Sequence, residues 1–226
     1  MEYMATLEDN AFELAIVDPP YGIGLDFSCN NGPSGKGRAV AQARGKRYQS
    51  IHKNKDWNDA IPSPEYFSEL HRVSKNQIIW GCNYYAEYIP AVGRIYHDKD
   101  TGFEGTKIGF SHGDLASCSL QKRITIFRYR WSGNKQGGTI NWSNSGIDGR
   151  IHPTQKPVKL YEWLLMNYAE EGDRILDTHL GSGSSAIAAH RLGFDFVGME
   201  IDEEYYNAAV KRFNSITSQL RIPDAI

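Results

Sequence analysis

Two stretches of the chain put carboxylates at the ends of apolar runs. In the first, Phe12–Val17 runs into Asp18, Pro19, Pro20 and Tyr21. In the second, DRILD (173–177) runs into THLGSGS (178–184). Open α/β sheets bind ligands just outside the carboxyl ends of their strands, so acids there are candidates for chemistry. Pro19 and Pro20 lack N–H donors and have fixed φ, which stiffens the turn. The Asp18 carboxylate and the Pro19 carbonyl remain as acceptors, and Tyr21 adds a flat ring. That set suits a planar base carrying an exocyclic amine. Two acceptors take its two hydrogens, the ring holds its face, and the nitrogen lone pair is freed to attack a methyl group. A proline-stiffened βα turn with a capping aspartate is the competing structural reading.

The second stretch places Gly181 and Gly183 between a strand and a helix. Glycine lets the backbone take positive φ and approach a ligand closely, and the helix start behind it offers free N–H groups. Glu200 follows Asp177 by 23 residues at the end of the next strand. A carboxylate there can accept from both ribose hydroxyls of a nucleotide-like cofactor; Asp202 lies just beyond. Read with Ala186, the turn also fits the dinucleotide pattern G-x-G-x-x-G/A. An NAD-binding oxidoreductase and a plain tight turn therefore compete. Asp177 favours a cationic ligand. A pyrophosphate would meet its negative charge, whereas S-adenosylmethionine carries a sulfonium and an ammonium group.

The elements that position these residues follow from periodicity. Phe12–Val17 reads as a buried strand. Ser63 and Pro64 open a helix as N-cap and N1, with Tyr66, Phe67, Leu70 and Val73 on one side. Gln77–Trp80 and Arg94–His97 read as strands, and Asn83–Tyr88 as a short helix. Residues 98–150 read as irregular, with one strand at Ile124–Trp131. Pro157 starts a helix bearing Leu160, Tyr161, Leu164, Leu165 and Tyr168. Strand 173–177, helix Ser184–Leu192 closed by Gly193, strand Phe194–Glu200 and helix Glu203–Ile216 complete a βαβ unit and a further helix. The expected fold is an α/β, doubly wound, mostly parallel sheet of Rossmann-like type, in a single domain over 1–226.

The 226 residues are 40% apolar and 23% charged, as in soluble globular proteins. No apolar run reaches the roughly 18 residues of a membrane span, and the acidic start is unlike a secretory signal. Cys29, Cys82 and Cys118 fit no metal or redox spacing, so no metal is expected, and reduced thiols in a cytoplasmic protein are. Net charge is −2, but its distribution is uneven. Phe27–Lys55 carries seven Lys/Arg and no acid, including Lys36, Arg38, Arg44, Lys46 and Arg47. Leu115–Ile147 carries five and no acid, including Arg128 and Arg130. Such a chain can present a basic face to nucleic acid, although solvated loops are the bland alternative. Residues 28–55 are expected to form a mobile basic loop.

D-P-P-Y (18–21) resembles the catalytic motif of DNA amino-methyltransferases, most often adenine-N6 and sometimes cytosine-N4. HPTQKP (152–157), DRILD, L-G-S-G and G-M-E-I-D (198–202) resemble the cofactor half of the same enzymes. The catalytic motif precedes the cofactor motifs, as in their β class, where a target-recognition segment lies between; residues 98–150 occupy that slot. The resemblance covers about 11–97 and 151–213. It implies S-adenosylmethionine as cofactor, DNA as partner and a flipped-out base as target, often with a homodimer, sometimes within a restriction-modification pair. Asp18, Pro19, Pro20 and Tyr21 would form the base site. His152, Thr154, Lys156, Asp177, His179, Gly181, Ser182, Gly183, Ser184, Glu200 and Asp202 would line the cofactor, with Asp18 also near its methionine end and Lys156 pairing its carboxylate. Two departures stand out. D-T-H (177–179) replaces the usual D-P-F, and W-G-C-N (80–83) replaces W-G-G-N. No cysteine follows a proline, which argues against cytosine-C5 chemistry. Aspartate at position 18 leans to adenine. RNA or a protein glutamine as acceptor, and a non-catalytic DNA-binding module, are weaker alternatives.

Overall fold

The computed structural model describes residues 1–23, 58–90, 92–101, 111–132, 135–136, 139–140 and 151–218. A short helix α1 (Glu2–Ala5) precedes strand β1 (Phe12–Val17). Helix α2 (Pro64–Val73) leads to β2 (Ser74–Trp80), β3 (Gly93–Asp98), β4 (Gly113–Cys118) and β5 (Ile124–Arg128). Three two-residue strands, β6 (Trp131–Ser132), β7 (Lys135–Gln136) and β8 (Thr139–Ile140), form a separate small sheet. Helix α3 (Val158–Tyr168), β9 (Arg174–Asp177), α4 (Ser184–Leu192), β10 (Asp195–Gly198) and α5 (Glu203–Thr217) complete the order.

The main sheet has seven strands in the order β10-β9-β1-β2-β4-β3-β5. Every neighbouring pair is parallel except the two made by β4. The expected mostly parallel, doubly wound α/β fold is the one found. β1 is buried along almost its whole length because it has a parallel neighbour on each side and helices over both faces. Leu14 and Ile16 pack with α3 and α4, whereas Ala15 and Val17 pack with α2. The chain leaves β1 toward β2 and leaves β9 toward β10, in opposite directions. The crevice between the carboxyl ends of β1 and β9 is therefore the topological switch point.

Helix α2 starts as the sequence predicts, with Ser63 at the N-cap and Pro64 at N1. Helix α4 ends at Gly193 with φ of 77°. The helix expected over Asn83–Tyr88 is reduced to one 3-10 turn at Ala86–Tyr88.

Residues 98–150 depart further from the expected target-recognition insertion. Of these, 113–128 are not an insertion, because β4 and β5 are strands of the main sheet. β4 (GDLASC) is half polar and lacks β-branched residues, so its sequence signal is weak. Its partners supply the pairing: Ile78–Trp80 on one side and Gly93–Asp98 on the other. The predicted basic loop 28–55 lies outside the described residues. No helix among the described residues is long and apolar enough to cross a membrane.

Candidate active site

Asp18 follows the last residue of β1 at the switch point. Both its oxygens are engaged. Oδ1 accepts from the Tyr21 hydroxyl at 2.7 Å, and Oδ2 accepts from Lys156 Nζ at 2.7 Å. Lys156 Nζ also reaches the Tyr21 oxygen at 3.2 Å and lies 5.2 Å from the centre of the Trp80 ring. Burial opposes the Lys156 charge, but the carboxylates of Asp18 and Asp114 outweigh it and raise its pKa. Lys156 was expected to meet a cofactor carboxylate; in this structure its partner is Asp18.

The Pro19 carbonyl lies 3.1 Å from the Tyr85 hydroxyl, which is also 3.0 Å from the Trp80 carbonyl. One proton is shared between those acceptors, so the Pro19 oxygen keeps acceptor capacity. The Tyr21 N–H donates to Asn58 Oδ1 at 3.0 Å and fixes the end of the turn, with Pro20 held before it. Gly81, with φ of 74°, lets the Tyr21 ring lie on the backbone; a Cβ there would strike that ring. The Tyr21 ring is also stacked on Tyr84, with centroids 4.9 Å apart and planes 17° apart. Tyr84 is 42% exposed. The sequence reading missed it, although its signal was the Tyr84–Tyr85 pair just after Trp80-Gly81.

Asp177 ends β9 and is fully buried. Oδ1 accepts from the His179 N–H at 3.0 Å and Oδ2 from the Ser185 hydroxyl at 2.6 Å. Its partners are neutral. Burial therefore dominates and pushes the carboxyl up to about 7, even though the two hydrogen bonds favour the ion. Glu200, two residues past β10, accepts from the Gly181 N–H at 2.8 Å and the Asp202 N–H at 3.0 Å. It is thus tied to the glycine turn. Asp202 caps α5 by accepting from the Tyr205 N–H, a structural role. Ile201 between them is 97% exposed.

The 152–157 segment folds against the glycine turn. The His152 ring packs edge-on to Tyr205 at 4.4 Å, and its Nδ1 lies 3.1 Å from Thr154 Oγ1. The Ser184 hydroxyl donates to the Lys156 carbonyl at 2.8 Å and lies 3.0 Å from Ser182 Oγ. Arg212 donates to the Ser182 carbonyl and to Ser184 Oγ. The two serines were expected as cofactor contacts. Their hydroxyls are buried and committed to holding the turn on the 152–157 segment. Gly183 (φ 71°) lies against Ala209, which a Cβ would crowd at 3.3 Å.

His179 stands edge-on to Tyr66 at 5.2 Å. Its Nδ1 is 2.9 Å from Thr178 Oγ1, which is 2.6 Å from the Tyr66 hydroxyl. Burial lowers the His179 pKa to about 4, so the ring is neutral near pH 7. One proton arrangement uses every group: Tyr66 donates to Thr178, and Thr178 donates to a bare Nδ1. The ring proton then sits on Nε2.

Asp114 belongs to the same site and went unnoticed in the sequence. Its carboxylate is 3.7 Å from Lys156 Nζ and 2.7 Å from Lys99 Nζ. At the far edge, Arg128 and Arg130 pair with Asp98 at 2.7 Å and Asp100 at 3.0 Å. Both arginines were expected as DNA contacts; in this structure acids from the adjacent segment hold them. Lys36, Arg38, Arg44, Lys46 and Arg47 lie outside the described residues. No group of three or more His, Cys, Asp or Glu that could hold a metal occurs among the described residues.

The fold is that of Rossmann-like methyltransferases. It matches the solved M1.HpyAVI–SAM complex with a TM-score of 0.51 at 17% identity, over 93% of this chain and 91% of that one. It matches the PvuII cytosine-N4-specific DNA methyltransferase with a TM-score of 0.55 at 12% identity, over 93% and 82%. The N6/N4 DNA methylase family model matches residues 79–211, more than half of the chain, and the protein belongs to that family. The match begins beyond the D-P-P-Y turn. The chain is 26% identical to the type II methyltransferase M.HpaI of Haemophilus parainfluenzae, over 94% of this chain and 71% of that protein. It is 29% identical to the type II methyltransferase M2.DpnII of Streptococcus pneumoniae, over 73% of this chain and about half (52%) of that protein.

Proposed function

We propose that the protein transfers a methyl group from S-adenosylmethionine to the exocyclic N6 amine of adenine in DNA. One observation carries this reading. Adjacent parallel strands end in two different acid pockets, Asp18 beside an aromatic ring and Asp177 beside a glycine turn and Glu200.

The second pocket fits the donor on its own chemistry. Asp177 is a buried carboxyl with only neutral partners, a place where a cation is favoured. Glu200, fixed by two backbone donors, is set to accept ribose hydroxyls. Ile201 beside it offers exposed apolar surface to a flat ring. S-adenosylmethionine supplies the methyl group as a sulfonium. The protein residues hold and orient.

In the first pocket the Asp18 carboxylate accepts one amine hydrogen and the Pro19 carbonyl the other. The nitrogen thereby becomes pyramidal, and its lone pair is available for in-line attack. The target base stacks on Tyr21 in the place Tyr84 now takes. A duplex base reaches this crevice only when flipped out. Aspartate rather than serine at position 18 supports adenine. Cytosine-N4 is the second reading, because its amine satisfies the same two acceptors.

The test compares wild type with Asp18→Asn on unmethylated plasmid DNA, using methyl-labelled S-adenosylmethionine and mass spectrometry of the nucleosides. N6-methyladenine from wild type is expected, reduced by about 10²-fold or more in the variant. N4-methylcytosine would move the substrate and keep the site. Unmodified DNA from a wild type that binds the donor would overturn the proposal.

A further inference from the structure

Asp18 has a difficulty built into it. As an acceptor for the target amine it must offer electron density, yet an ammonium sits 2.7 Å from its Oδ2. A carboxylate matched this closely is a weaker acceptor for a neutral N–H, because its charge is already neutralised. Lys156 therefore has to lean away when the base arrives. A buried ammonium cannot do so unless another anion takes it up.

The fold provides one. In the main sheet β4 alone runs against both its neighbours, so its first residues lie where β1 and β2 end. That register sets Asp114 opposite His97 and puts its Oδ2 3.7 Å from Lys156 Nζ, 1.0 Å farther than Asp18. We propose that Asp114 is a positioning residue for methyl transfer, giving the Lys156 ammonium a second seat so that Asp18 can accept the target amine.

Three further features fit that role. Asp114 is ionised in the fold: burial works against its charge, but Lys156, His97 and Lys99 together hold its carboxyl far below the usual range. Its Oδ1 is anchored by Lys99 at 2.7 Å, which keeps Oδ2 facing Lys156. The Trp80 ring lies 5.2 Å from the ammonium and offers a π face during the shift. Lys156 itself is 6% exposed, so water is a poor substitute for the second carboxylate.

The inference rests on the methyl-transfer reading, and the experiment separates the two. Wild type, Asp114→Asn, Asp114→Glu and Lys99→Met are assayed for methyl transfer to unmethylated plasmid DNA. The Lys156 ammonium is titrated by NMR in isotope-labelled protein without donor or DNA. Asp114→Asn should lower kcat by about ten- to a hundredfold with KM for both substrates nearly unchanged, and Lys156 should titrate at lower pH. Asp114→Glu should recover part of kcat. Lys99→Met, which keeps the Asp114 carboxylate and loosens only its anchoring, should cost less than Asp114→Asn.

Equal losses in Lys99→Met and Asp114→Asn would overturn the proposal, since Asp114 would then serve only to tie down Lys99. So would an Asp114→Asn effect confined to KM, or an unmoved Lys156 titration. A wild type that leaves DNA unmodified would remove the functional reading. The Lys156 titration would still show whether Asp114 holds the ammonium, and an unmoved value would end the proposal there too.

Discussion

Asp18 and Asp177 end neighbouring strands, yet their surroundings are opposite. Asp18 faces an ammonium and a phenol. Asp177 faces a serine hydroxyl and a backbone N–H, and its carboxyl rises to about 7. The first pocket is electrically matched before any ligand arrives. Among the described residues no cation pairs with Asp177. In the proposed reaction the same residue type at the same edge of one sheet serves two ligands, a neutral amine at Asp18 and a positively charged donor at Asp177.

The largest effect that tests this contrast is on Asp177. A cationic ligand binds its ionised form, so affinity for S-adenosylmethionine should fall about tenfold from pH 8 to pH 6, with proton uptake by the free protein matched by release on binding. Calorimetry in two buffers of different ionisation enthalpy reads that proton. The folded-state pKa is raised, so the stability sign is the reverse of an ordinary carboxylate. Burial of the charge costs on the order of 4 kcal/mol above pH 7, and this is relieved as pH falls toward 4. Asp177→Asn should abolish both slopes and weaken the donor. Unchanged pH dependence in that variant would remove Asp177 from the donor site.

A medium effect concerns a second pair of acids, on the far edge. Asp98 and Asp100 are matched like Asp18, but by arginines at the surface, where such pairs are weak. Phosphates can compete for those guanidinium groups. Arg128→Ala should weaken DNA binding a few-fold and lower the salt slope by about 1. Asp98→Asn, which frees Arg128, should tighten binding. Filter binding across a salt series checks both, and a neutral Arg128→Ala would leave that arginine as a partner of Asp98 alone.

The legibility of the molecule in its sequence follows the range of the interactions. β1, the two proline-stiffened residues after it, the glycine turn and helix α4 were readable because each is set by local period, fixed φ or positive φ. The acids Asp18, Asp177 and Glu200 came with them. β4 was missed because its pattern is weak and its stabilisation comes from two distant strands. Asp114 was lost with it: nothing in GDLASC marks an acid whose meaning depends on β4 running antiparallel. The pairs Arg128–Asp98 and Arg130–Asp100 were hidden for the same reason, being a consequence of the β3–β5 register. Tyr84 and the inward turn of Ser182 and Ser184 required side-chain directions that spacing does not give.

The smallest effect lies beside the Asp177 pocket. The His179 N–H donates to Asp177, and the ring is held by Thr178 and Tyr66 through a chain of two hydroxyls. If that chain fixes the ring, His179→Phe keeps the aromatic packing but leaves the Thr178 hydroxyl without its acceptor, at a cost of about 1 kcal/mol, or a Tm lower by about 2–4 °C. Tyr66→Phe breaks the same chain at its other end. Two independent contacts would give additive losses. A relay, in which each bond orients the next, should give a double variant less destabilised than the sum by about 0.5 kcal/mol or more. Because His179 is neutral above about pH 4, the coupling should be flat from pH 6 to pH 8, unlike every effect routed through Asp177. Additive losses would reduce the threonine-histidine departure from D-P-F to simple packing. A coupling that followed pH through 7 would tie the relay to the carboxylate and merge the two features that the structure shows side by side.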